Sequence, residues 1–453
     1  MADPPPSSYI HIIRTNRHRL ETLIHEGKYK PVFVWHLVLL TALPLMALLV
    51  PRRNGARYVR RVVLGLVLSM NIEALRYRRA LLGANGYMVG LITTWWTIWT
   101  ATLLVFHDPE LEFRRIERAP TNPSTQPNGY SQNTSKATDN FKWQSYPRPF
   151  RHRLNWALGL LLNMRGPEWN WRISSLDPLP PALVHEPRIK QTRTELASVS
   201  PDARTRLRSV ARVWLKAYFA LDIVKVIMMQ DPYFWGVIDC STPFPFSLLP
   251  AQITPSVVYI YRFIMTGTGI FVALTYVCAL NPLIFLGLSV AFPRASRAVT
   301  ATPLDAPWIY ADIFGQFSIP VLDHGLAGCW SQWWHQLFRF GFTSTASWLL
   351  SWLPRRYATH PDVKRIGMAF VAFGLSGLVH ATGSYTQLSE TSPVSGTWRF
   401  FILQAVGIVI QGSIVKLVVP AILPREVVVA RWMRRMANVL FATGWLLFTA
   451  GYD

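Results

Sequence analysis

Long apolar runs alternate with short, basic turns along most of the chain. Val32–Val50, Met88–Phe106, Val257–Ala279, Gly367–Val379, Phe400–Ile422 and Val439–Ala450 approach or reach the roughly 20 residues that a helix needs to cross the hydrocarbon of a bilayer. Shorter runs at Val62–Met70, Leu221–Met229, Pro282–Phe292 and Phe338–Leu353 bring the expected number of spans to about eight to ten. The pattern predicts an all-α, polytopic membrane protein. Residues 1–106 form a first group of membrane helices, 107–211 a polar loop, and 212–453 a C-terminal membrane core. Met1–Lys30 is polar and charged ahead of the first run, unlike a cleavable signal peptide, so the first span is expected to direct its own insertion.

The polar loop reads in two halves. Pro120–Asn140 is rich in Ser, Thr, Asn and Pro and is expected to be a disordered linker, in which the sequon Asn133-Thr134-Ser135 is a chance match. Further on, Leu154, Ala157, Leu158, Leu161 and Leu162 fall on one face of a helix. That face fits either a helix lying along the membrane surface, with Arg and His on its flank and Trp169 and Trp171 after it, or an amphipathic helix packed on the bundle.

Composition agrees with the pattern: 51% of the 453 residues are hydrophobic and 15% charged, and the mean hydropathy is positive. The net charge of +22 does not imply nucleic acid, because the basic residues cluster between spans, as in Pro51–Arg61 and Leu75–Ala80, where they mark membrane topology and meet anionic headgroups. Basic residues flank the first span on both sides, so they do not orient the chain; the basic loop leans toward the cytoplasm. Cys240, Cys278 and Cys329 are too few and too far apart for a disulfide framework or a structural zinc site.

Familiar catalytic signatures are absent. None of the 11 histidines has an Asp four or five residues downstream, and there is no G-x-S-x-G elbow, phosphate-binding loop or dinucleotide fingerprint. What remains is polar chemistry inside apolar segments. His380 stands near the end of an apolar run, with Ser376 one turn earlier on the same face. An ionisable group at membrane depth is expensive and by default functional, and burial favours the neutral imidazole that a general base requires. The stretch CWSQWWHQLFRFGF, Cys329–Phe342, is the second place. Taken as one helix, it stacks Trp330 on Trp334 and His335 on Arg339, with Gln332 within a turn of His335 and Gln336. An aromatic wall beside convergent donors is the make-up of a small-molecule pocket, although aromatic belts at membrane interfaces collect the same residues. Asp222 and Lys225, three apart in ALDIVKVIMM, are expected to pair with each other; in a transporter they would form a relay with His380 instead, but no internal repeat accompanies them.

WWHQLFR at Trp333–Arg339 followed by SGLVH at Ser376–His380 resembles the paired signature of the membrane-bound O-acyltransferase superfamily, and within it the wax synthase branch. Arg165–Trp171, RGPEWNW, is similar to a motif of fungal wax-synthase-like enzymes that acetylate terpenoids and meroterpenoids. The resemblance implies a helical bundle around a central tunnel in the endoplasmic reticulum membrane. It further implies acyl transfer from acetyl-CoA, a co-substrate rather than a bound cofactor, to the hydroxyl of a lipophilic terpenoid. His380 matches the base of that family and His335 its second active-site position; Trp330, Trp334, Gln336 and Arg339 match motif positions that bind substrate or support the site. A wax ester synthase using fatty acyl-CoA and a fatty alcohol is the alternative within the same chemistry, and a transporter or lipid-binding protein the alternative outside it. Two departures stand out. Ser331-Gln332-Trp333 replaces a Gly-Arg-Arg found in many relatives, and His380 is not followed by an acidic residue, leaving no evident carboxylate to fix its tautomer.

Overall fold

A computed structural model describes residues 8–51, 55–81, 83–119, 141–176, 179, 202–237, 243, 246–358, 360–422 and 429–451. The linker Pro120–Asn140, its sequon and Cys240 lie outside these residues.

The principal helices are α1 (Tyr9–His25), α2 (Val34–Leu49), α3 (Ala56–Tyr77), α4 (Tyr87–Ala101), α5 (Phe150–Leu161), α6 (Ala203–Met228), α7 (Thr254–Ala291), α8 (Ser318–Gly328), α9 (Arg339–Leu350), α10 (Pro361–Thr386), α11 (Arg399–Ser413) and α12 (Arg431–Ala450). Strand is confined, among the described residues, to two short ribbons: β1 (Lys30–Pro31) runs parallel to β2 (Arg78–Arg79), and β3 (Arg115–Arg118) antiparallel to β4 (Phe141–Gln144). Among the described residues, four helical segments are long and apolar enough to cross a membrane: Tyr87–Phe106, Thr254–Ala291, Pro361–Thr386 and Pro393–Ile422, with Val34–Leu49 a shorter apolar helix. Large apolar side chains stand exposed on the outer faces of the bundle, among them Val62 and Leu66 on α3, Ile223 on α6, Ile284 and Leu288 on α7 and Leu440 on α12. Such a belt is stable against lipid and not against water.

The runs Val257–Ala279 and Pro282–Phe292, read separately from the sequence, join into the single 38-residue α7 with Pro282 inside it. At a rise of about 1.5 Å per residue it is longer than a bilayer is thick. Proline removes one helical N–H, and in apolar surroundings the remaining bonds have no competitor in water, so the helix continues.

α10 is the axis of the fold and packs against α4, α9, α11 and the π-helical segment Pro393–Trp398; α6 pairs with α7, and α8 with α12. The main apolar cluster gathers Trp95 and Trp99 of α4, Trp156 and Leu160 of α5, Trp169 and Trp171, Phe342 of α9 and Val379 of α10. α5 therefore turns Trp156, Ala157, Leu160 and Leu161 into the core and leaves Leu162 exposed, which makes it a helix packed on the bundle. Asp222 and Lys225 are both exposed on α6 and no ion pair joins them. The expected pair therefore does not form.

Two arginines that read as topology signals are structural. Arg78 grips Glu73 through two bonds of 2.7 and 3.0 Å and reaches the Pro31 carbonyl, while Arg79 stacks between the rings of Tyr29 and Tyr385. They tie the β1–β2 ribbon to the end of α10.

Candidate functional site

The stretch from Cys329 onward does not continue as one helix. Cys329–Trp333 is a π-helical turn, Trp334 is extended (φ −62°, ψ 152°), and α9 begins only at Arg339. The carbonyls left open where the turn ends are taken up by side chains. Gln336 Nε2 donates to the Trp330 and Trp334 carbonyls at 2.7 Å each, and the Arg339 guanidinium donates to the Ser331 carbonyl and to Gln336 Oε1. This is helix capping carried out by residues further along the chain. Gln336 thus spends its amide donors, and Arg339 one arm of its guanidinium, on holding the backbone that carries the motif. Gln332 is exposed and away from both histidines' rings in the hydrogen-bond pattern, but its carbonyl backs onto Gly315, where an added Cβ would stand 2.1 Å away.

That clamp sets His335 among rings. Trp334 lies 5.6 Å from it between centroids, Phe338 6.1 Å and Phe314 6.4 Å, and its Nδ1 is buried without a hydrogen-bond partner. Trp330 makes edge contact with Trp334 at 6.0 Å and approaches Phe401 of α11 at 6.3 Å. Phe401 lies flat on His380, with centroids 4.6 Å apart and planes 10° from parallel. The two histidine motifs, separate in sequence, are joined through Trp330 and Phe401.

Among the described residues His380 has one polar partner: the Tyr87 hydroxyl lies 2.5 Å from its Nδ1. Ser376 shares its turn of α10 but makes no hydrogen bond to it. The π-helical segment Pro393–Trp398 packs on the same helix; Trp398 Nε1 donates to the Gly374 carbonyl at 3.2 Å, and only a residue without a side chain at position 377 lets Trp398 approach. π-helical turns recur at functional sites because they reposition side chains at the cost of regular bonding. Gln404 is fully buried: its Oε1 accepts from Trp330 Nε1 at 3.3 Å, and its amide donates to Thr449 Oγ1 at 3.0 Å. Sequence reasoning passed over Gln404 and Tyr87. Gln404 carried a signal, an amide inside the apolar run Phe400–Ile422; Tyr87, at a span's edge, carried none.

The loop Arg165–Trp171 braces this region. Trp171 stacks on Phe340 at 4.3 Å, Trp169 is fully buried against Trp156, and Arg165 donates to the Ala311 and Asp312 carbonyls just upstream of the motif. Glu168 is buried with its carboxylate held by Asn163 Nδ2 at 2.8 and 3.0 Å, and burial raises its carboxyl above the ordinary glutamate range. A cavity of about 750 Å³ opens between this loop, α6, α7 and the segment 309–317, lined by Arg165, Glu168, Phe271, Phe314, Trp333 and Leu337 among others. Its size suits a small-molecule site. Neither histidine lines it, but Trp333 and Leu337 lie on either side of the His335 loop. Asp222 and Lys225, outside this lining on the surface of α6, form no relay with His380.

The helical bundle thus places two histidines at the two ends of one chain of aromatic rings. Residues 310–403, which include His335, His380 and Phe401, match the profile of the membrane bound O-acyl transferase family. Among similar proteins are the O-Mevalon transferase yanI of Aspergillus niger, 26% identical over 66% of this chain and 61% of that protein, and the O-Mevalon transferase macI of Penicillium terrestre, 26% identical over 57% and 52%. The Acetyltransferase spyB of Aspergillus fumigatus is 29% identical over 28% of this chain and 21% of its own. The chain thus spans between about half and three fifths of the length of the first two relatives. No solved structure matches it.

Proposed function

We propose that this chain is an acyl-CoA-dependent O-acyltransferase that moves an acetyl group to a hydroxyl of a lipophilic terpenoid or meroterpenoid in the endoplasmic reticulum membrane of a fungus. The observation that carries the reading is His380: an imidazole on the central helix, fixed at Nδ1 and through its face, with Nε2 as the nitrogen left for chemistry. His380 Nε2 takes the proton of the acceptor hydroxyl while the oxygen attacks the thioester carbonyl. The tetrahedral adduct collapses, the C–S bond breaks, and the proton passes to the leaving sulfur of coenzyme A. In this reading, donors near His335 and Gln336 stabilise the developing oxyanion. Gln336 and Arg339 hold the loop that carries His335, and Trp330 and Trp334 shape its wall. The cavity beside Trp333 and Leu337 supports a bulky acceptor.

Names among the relatives favour a second donor. Two are O-mevalon transferases and one is an acetyltransferase, so a mevalonyl thioester stands beside acetyl-CoA. The test is transfer from radiolabelled acetyl-CoA or a mevalonyl thioester to a panel of terpenoid and fatty alcohols in microsomes. Wild type, His380→Ala and His335→Ala are compared at matched membrane abundance. The reading expects an ester with wild type and none with His380→Ala; wild-type levels of ester from His380→Ala would overturn it.

A further inference from the structure

We infer that Tyr87 is the positioning residue of His380, occupying the place that a carboxylate takes in many histidine bases and holding the imidazole in the tautomer with Nε2 unprotonated. The inference rests on the acyl-transfer reading for its catalytic meaning, and on geometry for the contact itself. Tyr87 Oη lies 2.5 Å from Nδ1 of His380. A base acting through Nε2 must carry its ring proton on Nδ1, so Nδ1–H donates and the phenol oxygen accepts. When Nε2 gains the acceptor's proton, the same bond becomes charge-assisted and strengthens. Phe401, flat on the imidazole at 4.6 Å, obstructs the ring rotation that would exchange the two nitrogens.

Tyr87 is itself held by the seam between α4 and α10. It is the first residue of α4, preceded by Gly86 at φ 106°, a conformation that a residue with a side chain rarely adopts. Its ring lies over Gly383, where an added Cβ would stand 2.9 Å from two ring carbons. The Thr386 hydroxyl sits 3.0 Å from the Gly86 carbonyl and accepts from the Gly90 N–H at 2.9 Å; the Thr382 hydroxyl reaches the Gly90 carbonyl at 3.2 Å. Small residues bring the two backbones together and the threonines lock their register, as at membrane helix interfaces generally. The phenol is thereby aimed at His380 from a helix that carries neither histidine motif.

The test uses the full chain in lipid nanodiscs. Tyr87→Phe keeps the ring over Gly383 and removes only the oxygen. The expected result is a kcat about ten- to hundredfold lower with KM for the acyl thioester within about twofold, the signature of a lost orienting partner. In a His380→Ala background the same change should cost nothing further. An activity-independent measurement is the ¹⁵N spectrum of histidine-labelled protein, with the His380 signal assigned by difference from His380→Ala. Wild type should show His380 protonated at Nδ1, and Tyr87→Phe should shift it toward the Nε2-protonated form. A wild-type His380 protonated at Nε2, or a Tyr87→Phe enzyme with unchanged kcat, overturns the inference. An inactive His380→Ala beside a fully active Tyr87→Phe removes Tyr87's role alone, whereas an active His380→Ala removes the acyl-transfer reading and leaves the tautomer to decide the contact.

Discussion

Gly90→Ala tests whether the α4–α10 seam supports the site. A Cβ at position 90 would stand 1.9 Å from the Thr382 carbonyl oxygen and 2.8 Å from the Gly383 nitrogen, both backbone atoms. Ordinary contact begins at 3.4 Å, so the helices must part by more than an ångström. Three bonds stretch as they do: Gly90 N–H to Thr386, Thr382 to the Gly90 carbonyl and Thr386 to the Gly86 carbonyl. At about 1 kcal/mol each, with about 1–3 kcal/mol for overpacking, the loss is on the order of 4 kcal/mol or more. That is a large part of a typical folding stability of about 5–15 kcal/mol. Gly65→Ala is the matched control: it also lies within a helix, nothing stands within 4 Å of its added Cβ, and it should be neutral or stabilising by up to about 1 kcal/mol. Thermal unfolding of the two proteins in the same detergent, followed by acyl transfer in nanodiscs, reads both effects. Gly90→Ala should melt several degrees lower and lose activity as Tyr87 withdraws from His380. A Gly90→Ala protein that melts with wild type would refute the packing argument; one that melts lower yet keeps full kcat would refute the link from seam to site.

Three further outcomes are expected. Gln336→Leu leaves the Trp330 and Trp334 carbonyls without their shared donor and should destabilise by about 2–4 kcal/mol with loss of activity, seen as a lower melting temperature; an unchanged melt would show that the π turn needs no clamp. Glu168 has a folded-state carboxyl raised by burial, so its contribution is present below the ordinary glutamate range and is lost as pH rises through the folded value. Glu168→Gln should therefore gain thermal stability over wild type at neutral pH and lose that advantage on acidification, and an advantage that grew with acid would contradict the sign. Replacing Asp222 and Lys225 together by alanine should leave acyl transfer within about twofold, since exposed, unjoined charges contribute little; a loss of tenfold or more would bring them into the mechanism.

How far the site was legible depends on whether each residue acts through its own segment or through a distant one. His380 stood out as a candidate because a polar residue in an apolar run carries its own signal, and the helical class followed from run length alone. The break after Trp333 was not, because the carbonyls it exposes are satisfied by Gln336 and Arg339 folding back, a tertiary arrangement that helical spacing cannot contain. Pro282 read as the start of a separate run for the opposite reason: its local rule holds in water, and α7 lies among apolar surroundings that relax it. The loop Arg165–Trp171 was visible as a motif, but its work of packing Trp171 on Phe340 and tying Arg165 to the segment before Cys329 depends on contacts across the fold.

Tyr87 was hidden most completely, since 293 residues separate it from His380. The proposed role answers a question the sequence raised: the candidate base His380 is not followed by an acid. A carboxylate placed beside His380 would have to be ionised to orient the ring strongly, and an ion buried in a bundle costs several kcal/mol unless further donors satisfy it. A phenol beside the imidazole carries no charge to desolvate: it is neutral, its oxygen accepts one N–H bond, and its ring adds apolar area against Gly383. A neutral partner orients less forcefully than an anion, and the fold supplies the difference mechanically. Phe401 stacks on the imidazole, and the Gly90 and Gly383 seam fixes the phenol. On this view the missing acid is no defect in the site, because ring packing and backbone approach perform the orientation that charge performs elsewhere.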